Sequence, residues 1–127
     1  MEEKRKVLYV EDEAVAASFA KIITSGKYEL DIARKGEDGI KKAMEKKYSI
    51  LLVDINLGRG MTGIELCKVL RDTPQYSEGT IIAVTAYAME SEKQTILSSG
   101  FTDYLSKPYT KKEMLEILEK WIKNKPE

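Results

Sequence analysis

Five short apolar runs, each followed by a segment of helical periodicity, narrow the folds open to this chain more than any other feature. The runs are KVLYV (Lys6 to Val10), YELDIA (Tyr28 to Ala33), SILLVD (Ser49 to Asp54), TIIAVTA (Thr80 to Ala86) and TDYLS (Thr102 to Ser106). All have strand length, and near-continuous apolar strands are those covered on both faces of a parallel sheet. Between them, apolar residues recur at helical spacing. Val15, Phe19, Ile22 and Ile23 form one stripe, closed by Gly26; Gly39, Ile40, Ala43 and Met44 form a second. Ile64, Cys67 and Leu70 form a third, and Met89, Lys93, Ile96 and Leu97 a weaker fourth, closed by Gly100. Met114, Leu115, Leu118, Trp121 and Ile122 give the last helix a clear apolar face. Thr62 with Glu65 and Thr110 with Glu113 fit capping boxes, so the third helix is expected to start at Gly63. The pattern predicts an α/β fold: a doubly wound, five-stranded parallel sheet with helices on both faces. At 127 residues the chain is expected to be a single domain, 1–127, with no output domain visible beyond KNKPE.

In open sheets of this kind, ligands collect at the carboxyl ends of the strands. Strand 1 ends in Glu11-Asp12-Glu13, strand 3 in Asp54, strand 4 in Thr85-Ala86, and strand 5 is followed by Lys107-Pro108. The order 2-1-3-4-5 makes these ends neighbours. Two carboxylates at about 4 Å repel by roughly 4 kcal/mol at an effective dielectric of about 20, before screening. A hard divalent cation offsets this, and Mg²⁺ takes carboxylate, carbonyl and water oxygens. With no histidine in the chain, the commonest transition-metal ligand and general base is missing. Lys107 can pair with Asp54 or a phosphate, and Thr85 can donate to a phosphoryl oxygen. A carboxylate beside Mg²⁺, a lysine and a hydroxyl is equipped to attack phosphorus. Taken singly, each residue has a plainer account. Asp12 and Glu13 suit the start of a helix, Asp54 a turn, Thr85 a strand end, and Lys107 the surface. The functional account rests on their joint occurrence at four strand ends.

Gly58-Arg59-Gly60-Met61-Thr62-Gly63 spells the G-x-G-x-x-G of a dinucleotide loop. That motif belongs tight against the first strand, with an acid ending the next. Here it follows the third strand after four intervening residues, and the next strand ends without an acid. The glycines are expected to shape a tight loop instead. A net charge of +0 excludes a large basic footprint, so no direct nucleic-acid partner is expected. The single cysteine, Cys67, excludes an internal disulfide framework and fits a reducing, cytoplasmic setting. No run is long enough for a membrane span, and the charged start is not a signal peptide.

VLYVEDE, ILLVDINL, IIAVTAYAM and DYLSKPY, in this order and spacing, resemble a response-regulator receiver domain of two-component phosphorelay signalling along essentially the whole chain. The resemblance implies a flavodoxin-like (βα)5 fold and a phosphorylation-activated switch. Asp54 would accept a phosphoryl group from a phosphohistidine on a histidine kinase or histidine phosphotransfer protein. Glu11, Asp12 and Asp54, with the backbone carbonyl of Asn56, would hold Mg²⁺, while Thr85 and Lys107 would contact the phosphoryl oxygens. Tyr104 takes the place of the family's switch aromatic, and Ala86 supplies the small residue beside Thr85. Asn56 and Tyr87 stand where the family tunes phosphoryl lifetime, and the bond before Pro108 is expected to be cis. Such a domain catalyses its own phosphorylation and dephosphorylation without being a conventional turnover enzyme. Its output would be a changed surface on helix 4, strand 5 and helix 5, read by an effector. One departure stands out: Gly58 replaces the family's usual proline, and the loop is one residue longer. Wider access for the phosphodonor and a shifted Asn56 are both compatible with that. The alternatives are a degenerate receiver that only docks, an aspartate-nucleophile phosphatase, and an FMN binder of the same fold. The phosphatase should have an acid where Asn56 stands, and the FMN binder a phosphate loop where Glu-Asp-Glu stands.

Overall fold

The computed structural model describes residues 4–58, 60–86 and 89–123. Five strands, β1 (Arg5–Val10), β2 (Tyr28–Ala33), β3 (Ile50–Asp54), β4 (Thr80–Thr85) and β5 (Asp103–Ser106), alternate with five helices. The helices are α1 (Ala14–Thr24), α2 (Gly36–Glu45), α3 (Gly63–Arg71), α4 (Glu90–Ser98) and α5 (Lys111–Lys123). The strands pair in parallel in the order β2-β1-β3-β4-β5, the order expected from the sequence. Ser49 and Thr102 fall just outside their strands yet still donate to the neighbouring strand, to Lys6 O at 2.8 Å and Ile81 O at 2.7 Å.

Strand side chains alternate between faces, so each apolar run feeds two cores. Leu8, Val10, Leu51, Val53, Ile81 and Ala83 pack against α2, α3 and α4 through Ala43, Leu66, Cys67, Leu70 and Ile96. Val7, Tyr9, Ile50, Leu52, Ile82 and Val84 pack against α1 and α5 through Ala20, Ile23, Met114 and Leu118. Every residue of β3 and β4 is buried, as expected of central strands in a two-sided sheet.

Both capping boxes form. The Glu65 amide donates to Thr62 Oγ1 at 3.1 Å, and the Thr62 amide to Glu65 Oε1 at 2.9 Å. Thr110 and Glu113 repeat the arrangement at α5, at 3.1 and 2.8 Å. The α1 stripe is corrected. Val15 is 83% exposed, Ile22 71% and Phe19 41%, while Ala17, Ala20, Ile23 and Thr24 face the sheet. Small residues let α1 lie close to the strands, and its bulkier apolar residues turn outward. Met44, Met89 and Leu97 are likewise exposed, and Leu66, absent from the expected stripe of α3, is fully buried.

Candidate functional site

Parallel pairing brings the chemistry to one edge. Val10 pairs with Val53, so Glu11 and Asp54, one step further along each strand, stand side by side. Asp54 is 4% exposed and Glu11 0%. Lys107 arrives from the end of β5, where its amide donates to Thr85 O at 2.8 Å. Its Nζ then lies 2.9 Å from Asp54 Oδ2 and 2.7 Å from Glu11 Oε1. One flexible ammonium thus bridges two buried acids.

The remaining oxygens are also engaged. Asp54 Oδ1 accepts from the Asn56 amide at 2.9 Å, and Glu11 Oε2 from the Glu13 amide at 3.1 Å. Glu11 Oε1 takes a second side-chain donor, the Tyr9 hydroxyl, at 3.0 Å. Burial alone would raise the Glu11 carboxyl, but the Lys107 and Glu13 hydrogen bonds outweigh it and hold the group below the ordinary range. Asp54 ends differently. Burial pushes it up to about 6 against the pull of Lys107 and Asn56, with the charge of Glu11 adding to the rise. Burial works against charge on Lys107, yet bonding to Asp54 and Glu11 raises it well above the usual lysine range. The lysine is therefore fully charged, and Asp54 is the carboxylate whose charge is least well compensated.

Glu11, Asp12 and Asp54 each place an oxygen within 4.8 Å of the others. This all-oxygen donor set suits a hard divalent ion. A cavity of about 300 Å³ opens over them, lined by Asp12, Glu13, Asp54, Asn56, Gly58, Ala86 and Lys107. Thr85, only 2% exposed, is buried next to Ala86 and is not part of that lining. Tyr104 lies half-buried on β5, with Lys93 Nζ 4.9 Å from its ring centroid. The Lys107–Pro108 bond is cis. Tyr87 lies outside the described residues.

The glycine loop is shaped around the acids. Gly58 has φ +74°, which proline cannot adopt, and a Cβ there would come within 2.8 Å of Asp12 Oδ2. A Cβ at Gly63 would overlap the Asp54 carbonyl oxygen, and the Gly63 amide donates back to Ile55 O at 3.1 Å. The chain leaves Asp54, loops, and returns against it. Glycines serve close approach here.

Sequence reading missed two contributors. Tyr9 sits inside an apolar run, but it lies two residues before Glu11 and so on the same side of the strand. A buried tyrosine hydroxyl needs a partner, which was the available signal. Arg34 donates through Nε to the Asp12 carbonyl at 3.2 Å, fixing the loop after β1. Its acceptor is a backbone oxygen, which leaves no trace in sequence.

The family model of the response regulator receiver domain matches residues 7–119. The response regulator ArlR of Staphylococcus saprophyticus is 31% identical over 123 residues, covering 96% of this chain and 54% of that protein. The signal transduction histidine-protein kinase BarA of Escherichia coli K12 is 29% identical over 89 residues, covering 70% of this chain and 10% of the kinase. The chain thus spans about half of the first relative and a tenth of the second. Among solved structures, the chemotaxis response regulator CheY4 of Vibrio cholerae superposes with a TM-score of 0.87 at 27% identity, covering 94% of this chain and 99% of that one. The receiver domain of a sensor histidine kinase from Pseudomonas aeruginosa, with a magnesium ion coordinated in its active site cleft, gives 0.88 at 26% identity, covering 96% and 100%.

Proposed function

This chain belongs to the response regulator receiver domain family, and from that premise we propose that Asp54 is its phosphoacceptor. The single observation that carries the proposal is the Lys107 bridge, 2.9 Å to Asp54 Oδ2 and 2.7 Å to Glu11 Oε1. It puts a positive charge against a carboxylate that burial pushes above its ordinary range. In the transfer, a deprotonated Asp54 oxygen attacks the phosphorus of a partner's phosphohistidine. The P–N bond breaks, the imidazole departs with the bonding pair and takes up a proton, and an acyl phosphate remains on Asp54. Lys107 follows the negative charge from the carboxylate to the phosphoryl oxygens. Receiver domains generally use Mg²⁺, and Glu11, Asp12 and Asp54, with Asn56 beside them, are the residues that would hold it. When bound, the ion neutralises charge on the transferring phosphoryl group.

Thr85 begins buried, so contact with the phosphoryl group requires it to turn toward the cavity. Tyr104 then fills the space released. The surface of α4, β5 and α5 changes with it, and an effector reads that change as a population shift. Asn56 and Tyr87 set the acyl phosphate lifetime, and small Ala86 lets the site close. A histidine kinase or phosphotransfer protein supplies the phosphoryl group. An apolar groove of about 460 Å³, lined by Val15, Phe19, Pro108 and Tyr109, opens beside Lys107 and offers such a partner a seat. No helix among the described residues is long and apolar enough to cross a membrane. We place residues 1–127 in the cytoplasm as one receiver unit.

Acetyl phosphate with Mg²⁺, followed by intact mass measurement, tests this reading. Wild type gains about 80 Da, one phosphoryl group, and Asp54→Asn gains nothing. Equal labelling of both proteins would exclude Asp54 as the acceptor.

A further inference from the structure

We infer that Tyr9 is a positioning residue for this site, fixing the Glu11 carboxylate through its hydroxyl; the inference rests on the phosphoacceptor reading above. Glu11 has one more rotatable bond than an aspartate and is 0% exposed, so it needs donors from the protein to stay ionised and in place. Oε2 has the Glu13 amide at 3.1 Å. Oε1 has Lys107 at 2.7 Å and Tyr9 at 3.0 Å. These two donors are not equivalent. Lys107 is shared with Asp54, and it leaves Glu11 when it follows the phosphoryl group. Tyr9 is rooted in the middle of β1 and is itself 0% exposed. Its ring is held among Ile50, Leu52 and Met114 in the core on the α1 and α5 side. The Tyr109 hydroxyl backs it at 3.4 Å.

Tyr9 is therefore the donor that stays on Oε1 when the lysine departs. It keeps a buried negative charge satisfied through the transfer and keeps the carboxylate aimed toward Asp12 and Asp54. The residue acts through Glu11 and touches neither phosphoryl group nor ion.

Mg²⁺ titrated calorimetrically into the unphosphorylated full chain tests this. Wild type, Tyr9→Phe, Glu11→Gln and the double variant are compared, with thermal unfolding recorded for each. Tyr9→Phe keeps the ring and is expected to weaken Mg²⁺ binding about 10-fold, as loss of a ligand's supporting hydrogen bond does. The double variant should bind no more weakly than Glu11→Gln alone, because the hydroxyl acts only through the carboxylate. An affinity unchanged by Tyr9→Phe, tighter binding, or losses that add in the double variant would each overturn the inference. A purely structural tyrosine would lower the unfolding temperature and leave the affinity alone. Should Tyr9→Phe fail to fold, Tyr109→Phe removes only the backing hydroxyl and is expected to weaken binding about 2-fold, the lesser effect of a more remote partner; no change would then overturn it. Wild type that binds no Mg²⁺ rejects the metal reading itself, an outcome distinct from all of these.

Discussion

The two ends of the sheet handle charge in opposite ways. At the amino end, Arg71 closes α3 and sends its guanidinium into a ring of neutral acceptors. Nε donates to Gly100 O at 2.9 Å, Nη1 to Tyr76 O at 2.8 Å and Gly79 O at 2.7 Å, and Nη2 to Thr102 Oγ1 at 3.2 Å. One cation satisfies backbone groups from two loops and ties α3 to the starts of β4 and β5. At the carboxyl end the ratio is reversed: among the described residues one cation, Lys107, pairs with both Glu11 and Asp54, with Asp12 close by. The first arrangement is complete without a ligand. The second has an excess of negative charge, which a cation or a proton on Asp54 would relieve. The fold gathers satisfied neutral acceptors around a cation at one end and clustered acids around a cation at the other.

The largest effect expected from this contrast is at Arg71. Arg71→Ala strands carbonyls that a charged donor now satisfies, and partial water access softens the loss, so unfolding free energy should fall by about 3 kcal/mol. Urea unfolding measures it. A loss below about 1 kcal/mol, the worth of an ordinary hydrogen bond, would mean that the clamp is no stronger than the rest of the loop structure, and the contrast would fail. Phosphorylation of the folded variant should be intact, because the clamp is at the opposite end of the sheet.

The second effect has the opposite sign. Asp54 is pushed up to about 6 in the folded chain, against about 3.9 for an unfolded aspartate. The native state therefore binds this proton more tightly. Its stabilising contribution is full below about pH 4 and is lost as the pH rises through about 6. Asp54→Asn removes that loss. In EDTA at pH 7.5 the variant should be more stable than wild type by about 2 kcal/mol, with the gain fading as the pH falls through about 6 and gone below about pH 4. Glu11, held low, works the other way, since its contribution disappears on acidification. It is present in both proteins and largely cancels from the difference. Equal stability across the range, followed by urea unfolding at several pH values, would show that Lys107 already compensates Asp54 fully.

The contrast also separates what sequence could and could not say. The sheet was legible because fully buried strands leave continuous apolar runs, as in ILLVD and TIIAVT, whose residues are buried throughout. Glu11, Asp54 and Lys107 were legible because the parallel topology sends every strand end to one edge. Arg71 was not, since its partners are carbonyls up to 29 residues away and the hydroxyl of Thr102, and any residue supplies a carbonyl. Tyr9 was hidden in an apolar run whose period describes its ring and ignores its hydroxyl. On α1, only Ile23 of the expected stripe faces the sheet. Hydropathy favours Val15, Phe19 and Ile22, whereas close packing favours Ala17 and Ala20. The path of the loop at Gly58 depends on its fit against Asp12, a contact between segments far apart in sequence.

The smallest effect sharpens the comparison where the two ends meet, on β5. α3 is held by a capping box at its start and Arg71 at its end. α4 has no side-chain cap and buries only Ile96. The contact of Lys93 with Tyr104, at 4.9 Å, is one of its links to β5. A charge over a ring face attracts it modestly when water has access, so if Tyr104 switches as proposed, Lys93 would bias the ring toward the half-buried position it holds here without locking it. Lys93→Ala should raise the inward fraction of Tyr104 in the unphosphorylated chain about 2-fold, the size expected for an exposed cation–π contact. Ring-labelled tyrosine NMR, with Tyr104→Phe assigning the signal, reads the fraction directly. A Tyr104 signal that ignores the substitution in both phosphorylation states would place the restraint on the switch elsewhere, in the packing of α4 through Ile96.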